Sequence, residues 1–387
     1  MIANETMVAA PAPRTDFQRD VYCVLGLPFD ALTLEQARDQ LLADARAGRR
    51  NFFSTPNLNF LVTSLRDTAF RDSVLRSDLS FADGMPIIWM ARALDIPLRH
   101  RVAGSTVFEL LRAQREQPLK VYFFGGPDGV ARRAGDVLNA DGGALRCVGA
   151  HAPGFGSIED MSSPALMAQI NATEPDFVLV ALGAKRGQAW IERNLGALDA
   201  PLISHLGAVI NFVAGTIVQA PSRVSGLGLE WLWRIKEEPA LWRRYWQDGL
   251  ALLGLLVKRV LPGVLAARRA RAARDRQPAP SVDVRTENGV RRLTLGGAWH
   301  AGNLAPLRLA LTAATATRAD IVLDLTAVSA LDSATVALLM LLYGHQSKIG
   351  RGYEPVGANK ALQRALTLHC AEYLLTPLPV TAAVARA

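Results

Sequence analysis

The sequence predicts an α/β protein in which a mostly parallel sheet is followed by a helical appendage and then by a second, small α/β unit. Short apolar runs with strand character recur before residue 206, and each is followed by glycine or turn residues and then by a stretch with helical periodicity. Such alternation is typical of βαβ units, which build parallel sheets. In these sheets ligands bind beyond the carboxyl ends of the strands, so functional residues are expected in the loops that follow the strands.

The length of 387 residues is enough for two or three domains. Residues 1–20 are polar and contain proline, which predicts a tail before the first strand. Helical periodicity begins after Thr33, a suitable N-cap, and ends near residue 48. The expected strands of the main sheet are residues 21–27, 51–54, 119–124, 177–182 and 202–205.

A second unit is expected after the linker QPAP at residues 277–280. Its predicted strands are residues 290–295 and 321–325. A helix should follow from Ser333 to about residue 346.

The net charge of +8 is concentrated in one segment. Residues 231–276 hold eleven Lys or Arg and four Asp or Glu, together with four of the seven tryptophans. A nucleic-acid-binding surface over the whole protein is therefore disfavoured. The composition favours an amphipathic helix at an anionic membrane surface. The alternatives are a tryptophan core with a solvated basic face, or local nucleic-acid binding.

The cysteines and the apolar runs bear on the cellular compartment. Cys23, Cys147 and Cys370 are odd in number and lie far apart, which fits a reduced, cytoplasmic setting. The first twenty residues lack the pattern of a signal peptide. The nearest candidate for a membrane span, residues 249–257, has nine residues before the next charge and is too short to cross a bilayer.

Two glycine loops follow predicted strands, FFGGPDG with Gly125 and Gly126, and ALGAKRG with Gly183. Glycine lets backbone N–H groups approach a phosphate closely, and the following helix N-terminus adds favourable partial charge. Neither loop is a GxGxxG fingerprint, which argues against a nicotinamide-dependent oxidoreductase. The alternative is that these glycines only permit tight turns between strand and helix.

Polar side chains lie where two other apolar runs end. Thr55 and Asn57 follow the strand at 51–54, and Asp83 precedes a glycine and an apolar helix start. Asp83 is either a helix cap or, in an enclosed cleft, a general base with a raised pKa. Arg101 precedes a glycine turn and, taken alone, is a surface arginine. The chain contains no DxD pair and no spaced histidine or cysteine ligands, so no metal is expected.

Taken in order, these segments resemble the N-acetylmannosaminyltransferase (WecG/TagA/CpsF) family of bacterial glycosyltransferases over about residues 21–262. The resemblance implies a Rossmann-like core and an appendage that closes the active site and helps to dock the enzyme on the membrane. It implies metal-independent, inverting transfer of a sugar from a UDP donor to a polyprenyl-diphosphate-linked acceptor in surface polysaccharide synthesis. The matching motifs are TPN, ADG, RVAGS, FFGG, LGAxxxQxWI, AGTIVQAP and LEWLWRIKEEPALWRRY.

The resemblance also assigns roles to individual residues. Asp83 matches the proposed base, and Thr55, Asn57 and Arg101 match positions beside it. The glycine loops are expected on the donor nucleotide. Appendage arginines are expected to face the UDP diphosphate, whose charge has to be met by guanidinium groups where no metal is present. These arginines are Arg234 and Arg244, with Arg243 close by.

Several positions depart from the family pattern. GAKRGQAW stands for the usual G-x-P-x-Q-E-x-W, so Gly187 replaces a glutamine and Gln188 a glutamate. We expect Gln188 to make the substrate contact of that amide one residue along the chain, or the contact to be lost. Gln219 and Leu241 stand where the family usually has arginine. The departures motivate an alternative function, a catalytically degenerate scaffold that binds a regulatory partner.

Residues 281–387 resemble a STAS domain, with IVLDLTAVSALDSATVALLM as the main match. Ser333 occupies the position of the family's switch serine, but it is followed by Ala-Thr and not by the usual hydroxyl residue and glycine. A phosphoswitch and a docking module without a switch are both open. Either one implies a protein partner for this domain.

The predicted organisation is a tail at 1–20, a transferase core at 21–222, an appendage at 223–276 and a STAS-like domain at 277–387. The expected partners are a UDP-sugar donor, a lipid-linked acceptor, an anionic membrane surface and a STAS partner. No cofactor and no nucleic acid are expected, and a homo-oligomer is compatible with the sequence. The expected location is the cytoplasmic face of the cell membrane, as a peripheral protein.

Overall fold

The computed structural model describes residues 15–114, 118–221, 224, 225 and 228–379, apart from the side chain at 274. The predicted tail therefore lies mostly outside the described residues, as do the predicted boundary at 222 and 223 and the last eight residues. The first described elements are β1 (Val21–Val24) and β2 (Leu27–Asp30), which pair as a separate antiparallel hairpin. The prediction that residues 21–27 form one strand of the main sheet is wrong. Leu25 and Gly26 take positive φ angles and turn the chain back.

The main sheet has six strands in the order β4-β3-β8-β7-β5-β6, and every described pair in it is parallel. Apolar clusters cover both faces, as expected for a sheet between two helical layers. The predicted strands after residue 50 are confirmed, and two short or half-exposed strands join them. The strands are β3 (Asn51–Ser54), β4 (Leu79–Ser80), β5 (Leu119–Gly125), β6 (Leu145–His151), β7 (Phe177–Ala181) and β8 (Leu202–His205).

Helices alternate with these strands. The first begins after Thr33, whose side chain forms the predicted cap as part of a capping box with Gln36. The helices of the core are α1 (Leu34–Arg46), α2 (Leu58–Ser64), α3 (Thr68–Leu75), α4 (Met85–Ala93), α5 (Gly104–Ala113), α6 (Val130–Ala140), α7 (Pro164–Asn171), α8 (Ala184–Asn194) and α9 (Val209–Val213).

The appendage is helical, as predicted. It comprises α10 (Glu230–Glu237), a 3₁₀ turn (Pro239–Leu241), α11 (Trp242–Leu255), a π-helical turn (Leu256–Val260) and α12 (Leu261–Ala272). From Pro239 to Ala272 these segments form one continuous helix, whose most apolar window has a mean hydropathy of 1.9 and is 11% buried. By length and composition this helix could cross a membrane, whereas the nine residues at 249–257 that the sequence predicts as the nearest candidate are only part of it.

The C-terminal domain has its own four-stranded sheet in the order β12-β11-β10-β9. The predicted strands and helix are confirmed and are longer than expected. The elements are β9 (Ser281–Glu287), β10 (Val290–Trp299), α13 (Ala305–Thr315), β11 (Ile321–Leu331), α14 (Ser333–Ile349), β12 (Tyr353–Val356) and α15 (Lys360–Leu368).

Helix α14 is buried along nearly its whole length, because it packs against both its own sheet and the N-terminal part of the chain. One apolar cluster combines this helix and its own sheet with Phe17, Val21, Cys23 and Leu75 of the N-terminal part. Around the cluster, Arg76 of the core bonds the Ser347 hydroxyl, and Lys348 pairs with Asp78 at 2.6 Å. The C-terminal domain therefore packs directly against the predicted transferase core.

Candidate active site

The candidate site lies at the carboxyl ends of β3 and β4, which are neighbours in the sheet. Backbone hydrogen bonds fix the loop after β4: Asp83 N donates to Pro56 O at 3.0 Å, and Val102 N donates to Ala82 O at 2.9 Å. The loops before α2, α4 and α5 therefore meet at one point. Asp83 lies at this meeting point.

The Asp83 carboxylate does not cap the helix that follows it. Gly84 occupies the N-cap of α4 and supplies no side-chain bond. The carboxylate instead accepts a long hydrogen bond of 3.3 Å from Gly104 N, at the start of α5. Its other oxygen lies 3.7 Å from Arg101 Nε. Of the two roles that the sequence left open for Asp83, the structure excludes capping of its own helix.

Burial raises the pKa of the Asp83 carboxyl to about 6, and the negative charge of Glu230 adds to this rise. Arg101 and the Gly104 N–H act in the opposite direction and lower the pKa. A carboxylate with few firm hydrogen bonds and a pKa near the working pH suits general base catalysis. The raised pKa that the base role requires is therefore present.

Glu230, the first residue of α10, is a member of the site that the sequence did not identify. Its carboxylate lies 2.6 Å from Arg101 Nη2, so the Arg101 guanidinium is placed between two carboxylates from different parts of the chain. Nothing in the motif LEWLW, in which it lies, indicates a role for its carboxylate. Only the fold brings the appendage against the loop after β4.

Thr55 and Asn57 lie beside Asp83, as the resemblance implies. Thr55 is buried against Gly104, where a Cβ atom would lie 3.3 Å from its hydroxyl oxygen. Asn57 caps α2 through a 3.1 Å hydrogen bond from Phe60 N to its Oδ1 atom, and its Cβ lies next to Gly84. Asn57 therefore has a structural role at this site through the cap that it provides.

The three loop glycines lie at the carboxyl ends of the neighbouring strands β5 and β7. Close packing requires glycine at position 125, because a Cβ atom there would lie 2.5 Å from Ala181 O. Gly183 caps α8 with φ at +79°, and a Cβ atom there would meet open space. The loop before α8 thus leaves room in front of a helix N-terminus, which is favourable for a phosphate.

Gln188 does not lie in the cleft, contrary to the prediction of a substrate contact. It is buried between α8 and the core, where Nε2 donates to Ser54 Oγ at 2.9 Å and Oε1 lies 3.4 Å from Ser73 Oγ. Both ends of its amide are engaged, which makes its role structural. Glycine is required at the neighbouring position 187, because a Cβ atom there would overlap the ring of His205.

His205 ends β8 and takes the space that a side chain at 187 would need. Burial lowers its pKa to about 4, so the imidazole is neutral at pH 7. The departure from the family pattern at position 187 therefore has a steric cause.

The appendage arginines differ in position. Arg234 is mostly buried, pairs with Glu238 and lies over the ring of Phe212 at 5.6 Å, so it contacts the core after β8. Arg243 and Arg244 are exposed and lie against the rings of the aromatic residues next to them in the chain. No described contact joins these two arginines to Asp83.

The segment before the appendage contacts both the appendage and α5. Trp233 Nε1 donates to Val218 O at 3.0 Å, and Gln219 Nε2 lies 3.4 Å from the Ser105 hydroxyl on α5. Gln219 stands where the family usually has an arginine, so an amide here replaces a charge beside the start of α5, the helix whose first residue donates to Asp83. Within the described ranges, no three His, Cys, Asp or Glu side chains come together as metal ligands would.

Comparisons with known proteins agree with the two-part architecture. Residues 22–264 match the family described as "Glycosyl transferase WecG/TagA/CpsF family", and residues 282–374 match the one described as "Mlab, STAS domain". The N-acetylglucosaminyldiphosphoundecaprenol N-acetyl-beta-D-mannosaminyltransferase of Bacillus subtilis (strain 168) is 26% identical over 192 residues, 49% of this chain and 73% of the relative. The protein of that name from Staphylococcus aureus (strain NCTC 8325 / PS 47) is 23% identical over 222 residues, 54% of this chain and 82% of the relative.

Proposed function

The chain belongs to the WecG/TagA/CpsF family of glycosyltransferases, and we propose that it transfers an N-acetylmannosamine-type or related hexose from a UDP donor to a sugar on a polyprenyl diphosphate. The names of its relatives specify an N-acetylmannosaminyl transfer to such a lipid-linked acceptor. The proposed setting is the synthesis of a bacterial surface polysaccharide. The reaction inverts the anomeric carbon and needs no metal ion.

The observation that supports this proposal most directly is the environment of Asp83. The side chain is about three-quarters buried, with 26% of its surface exposed. Among the described residues its carboxylate accepts one long hydrogen bond, from Gly104 N, and burial raises its pKa to about 6. An exposed or capping aspartate would be fully ionised and strongly hydrogen-bonded, and therefore a weaker base. The raised pKa allows Asp83 to accept a proton efficiently near neutral pH.

In the proposed step, Asp83 takes the proton of the acceptor hydroxyl as that oxygen forms a bond to the anomeric carbon of the donor sugar. The bond between this carbon and the β-phosphate oxygen breaks, and its electron pair leaves with UDP. Attack from the face opposite the leaving group inverts the configuration. The charge that develops on the diphosphate is met by the N–H groups before α8 and by Arg234.

The aspartate is tested by assaying UDP-sugar turnover with a lipid-diphosphate sugar acceptor, using a panel of UDP-sugars. We expect Asp83→Asn to lower the turnover by about 100-fold or more, since a positioned general base contributes that much. In the wild type the rate should rise as the pH passes through about 6, because Asp83 then loses its proton.

Asp199→Asn is the matched control, because the same change is made at an exposed position before the amino end of β8, whereas Asp83 lies beyond the carboxyl ends of the strands. Equal rates for Asp83→Asn and the wild type would rule out the base. If no UDP-sugar binds or turns over, the transferase proposal itself fails and the scaffold alternative is favoured.

We also propose that the appendage lies on the membrane surface. Its long helix presents a continuous apolar stripe in which every side chain is more than half exposed: Trp246, Leu250, Leu253, Val257, Leu261 and Leu265. The opposite side packs on the core, where Val260 is buried and Asp248 accepts hydrogen bonds from Asn59. A helix that packs on the core with one side and exposes an apolar stripe on the other is expected to lie parallel to the membrane surface.

A further inference from the structure

Arg101 is shared unequally between two carboxylates. Its Nη2 atom lies 2.6 Å from the Glu230 carboxylate, whereas its Nε atom lies 3.7 Å from Asp83, beyond hydrogen-bonding distance. The Nε atom is buried and has no hydrogen-bond partner among the described residues. The guanidinium is therefore turned toward Glu230, although Asp83 lies within its reach.

The position of this guanidinium matters for a base. Arginine can bind a carboxylate with two parallel hydrogen bonds, which stabilise the ionised form and occupy its lone pairs. If Arg101 bound Asp83 in this way, the carboxylate would be a weaker base and would have less room for the acceptor hydroxyl. The observed geometry keeps that pairing from forming.

We propose that Glu230 is a positioning residue that holds the Arg101 guanidinium away from Asp83 and so keeps this carboxylate free to accept the acceptor proton. The proposal rests on the proposed transferase function. Glu230 belongs to the appendage, whereas Asp83 and Arg101 belong to the core. The base is consequently in its active arrangement only while the appendage is seated on the core.

Two charged groups act on Asp83 in the described structure, Arg101 from the loop before α5 and Glu230 from α10. Neutralising Glu230 changes both influences in the same direction. It removes a negative charge near Asp83, and it releases Arg101 to approach Asp83. Both effects stabilise the ionised carboxylate, so Asp83 would lose its proton at a lower pH and would be a weaker base.

The test compares the pH dependence of kcat/KM for the wild type and Glu230→Gln, since this parameter reports ionisations of the free enzyme. We expect the acid limb of the profile to move to lower pH by about one unit. The plateau rate should fall by about threefold to tenfold because the base is weaker. Glu230→Asp keeps the charge but shortens the reach, and its acid limb should lie between the other two.

Glu237→Gln is the matched control, because it makes the same chemical change on the same helix. Its profile should coincide with that of the wild type. Circular dichroism and thermal unfolding establish that each variant is folded, and Glu230→Asp carries the test if Glu230→Gln does not fold.

A wild-type enzyme that transfers no sugar would refute the proposed function. An active wild type, together with folded Glu230 variants whose acid limbs coincide with its own, would overturn only the role of Glu230. A lower plateau rate without a shifted limb would also overturn it, because a purely structural defect gives that result.

Discussion

Two long apolar helices of this protein lie in opposite environments. Helix α14 is buried along nearly its whole length between its own sheet and the N-terminal part of the chain. The helix at residues 239–272 has a mean hydropathy of 1.9 in its most apolar window, yet only 11% of that window is buried. Apolar composition therefore does not decide burial. The available partner surface decides it, since α14 is covered on two sides and the appendage helix on one.

The space around one glycine in each helix shows the same difference in packing. A Cβ atom at Gly344 of α14 would overlap the carbonyl oxygen of Leu75 in α3, so the two helices touch through their backbones. A Cβ atom at Gly254 of α11 would meet nothing within 4 Å. The same substitution should therefore have opposite effects at the two positions.

The largest effect is expected for Gly344→Ala. The added methyl group meets backbone that cannot move away easily, so the free energy of unfolding should fall by about 2 kcal/mol or more. Gly254→Ala should raise it by up to about 1 kcal/mol, because alanine favours the helix. Urea unfolding of both variants measures the difference. Equal changes would mean that α14 does not pack on α3 in solution.

The next effect concerns the open side of the appendage helix. Leu250→Glu combined with Leu253→Glu should lower binding to anionic vesicles by about tenfold or more, since two apolar side chains no longer enter the lipid. The free energy of unfolding should change by less than about 0.5 kcal/mol, because both residues are exposed. Vesicle sedimentation measures the binding, which salt should also weaken.

Leu309→Glu is the matched control for this membrane test. Leu309 is an exposed leucine on α13, outside the appendage, and its replacement should leave vesicle binding unchanged. Unchanged sedimentation of the double variant would contradict the proposal that the apolar stripe meets the membrane.

The smallest effect concerns the contact between the domains at Ser333. Its hydroxyl donates a 2.9 Å hydrogen bond to Cys23 O in the hairpin, so this hydroxyl has its partner within the same chain. Ser333→Ala should lower the free energy of unfolding by about 1 kcal/mol. Ser329→Ala, which removes an exposed hydroxyl from the same domain, should change it by less than about 0.5 kcal/mol. Equal values would mean that the bond to Cys23 contributes nothing.

Much of the fold could be predicted because its signals are local. The helix after Thr33 carries its capping box in the sequence, and the strands and helix of the C-terminal domain carry clear apolar patterns. The prediction of one main-sheet strand at residues 21–27 is wrong, because β1 has the apolar pattern of a buried sheet strand and the turn at Leu25 and Gly26 interrupts it. Strand β6 was missed because it is half exposed and lacks a continuous apolar run.

The candidate site was predicted only in part. The resemblance identified Asp83 and Arg101, which the structure places together, but it did not identify Glu230. For Gln188 the sequence leaves two outcomes open, a substrate contact or the loss of that contact, and the structure buries the side chain against Ser54. A polar side chain has the same sequence signature in a cleft as in a buried hydrogen-bond network, so the sequence could not separate the two.

Sequence patterns were enough to predict the class of fold, the order of most elements and the concentration of charge and tryptophan in one segment. These follow from periodicity, capping residues and composition, which act over a few residues. The tertiary structure alone decided that α14 is buried, that the appendage stripe is open, and that Glu230 meets Arg101. Each of these depends on surfaces brought together from distant parts of the chain, and no local pattern encodes such a meeting.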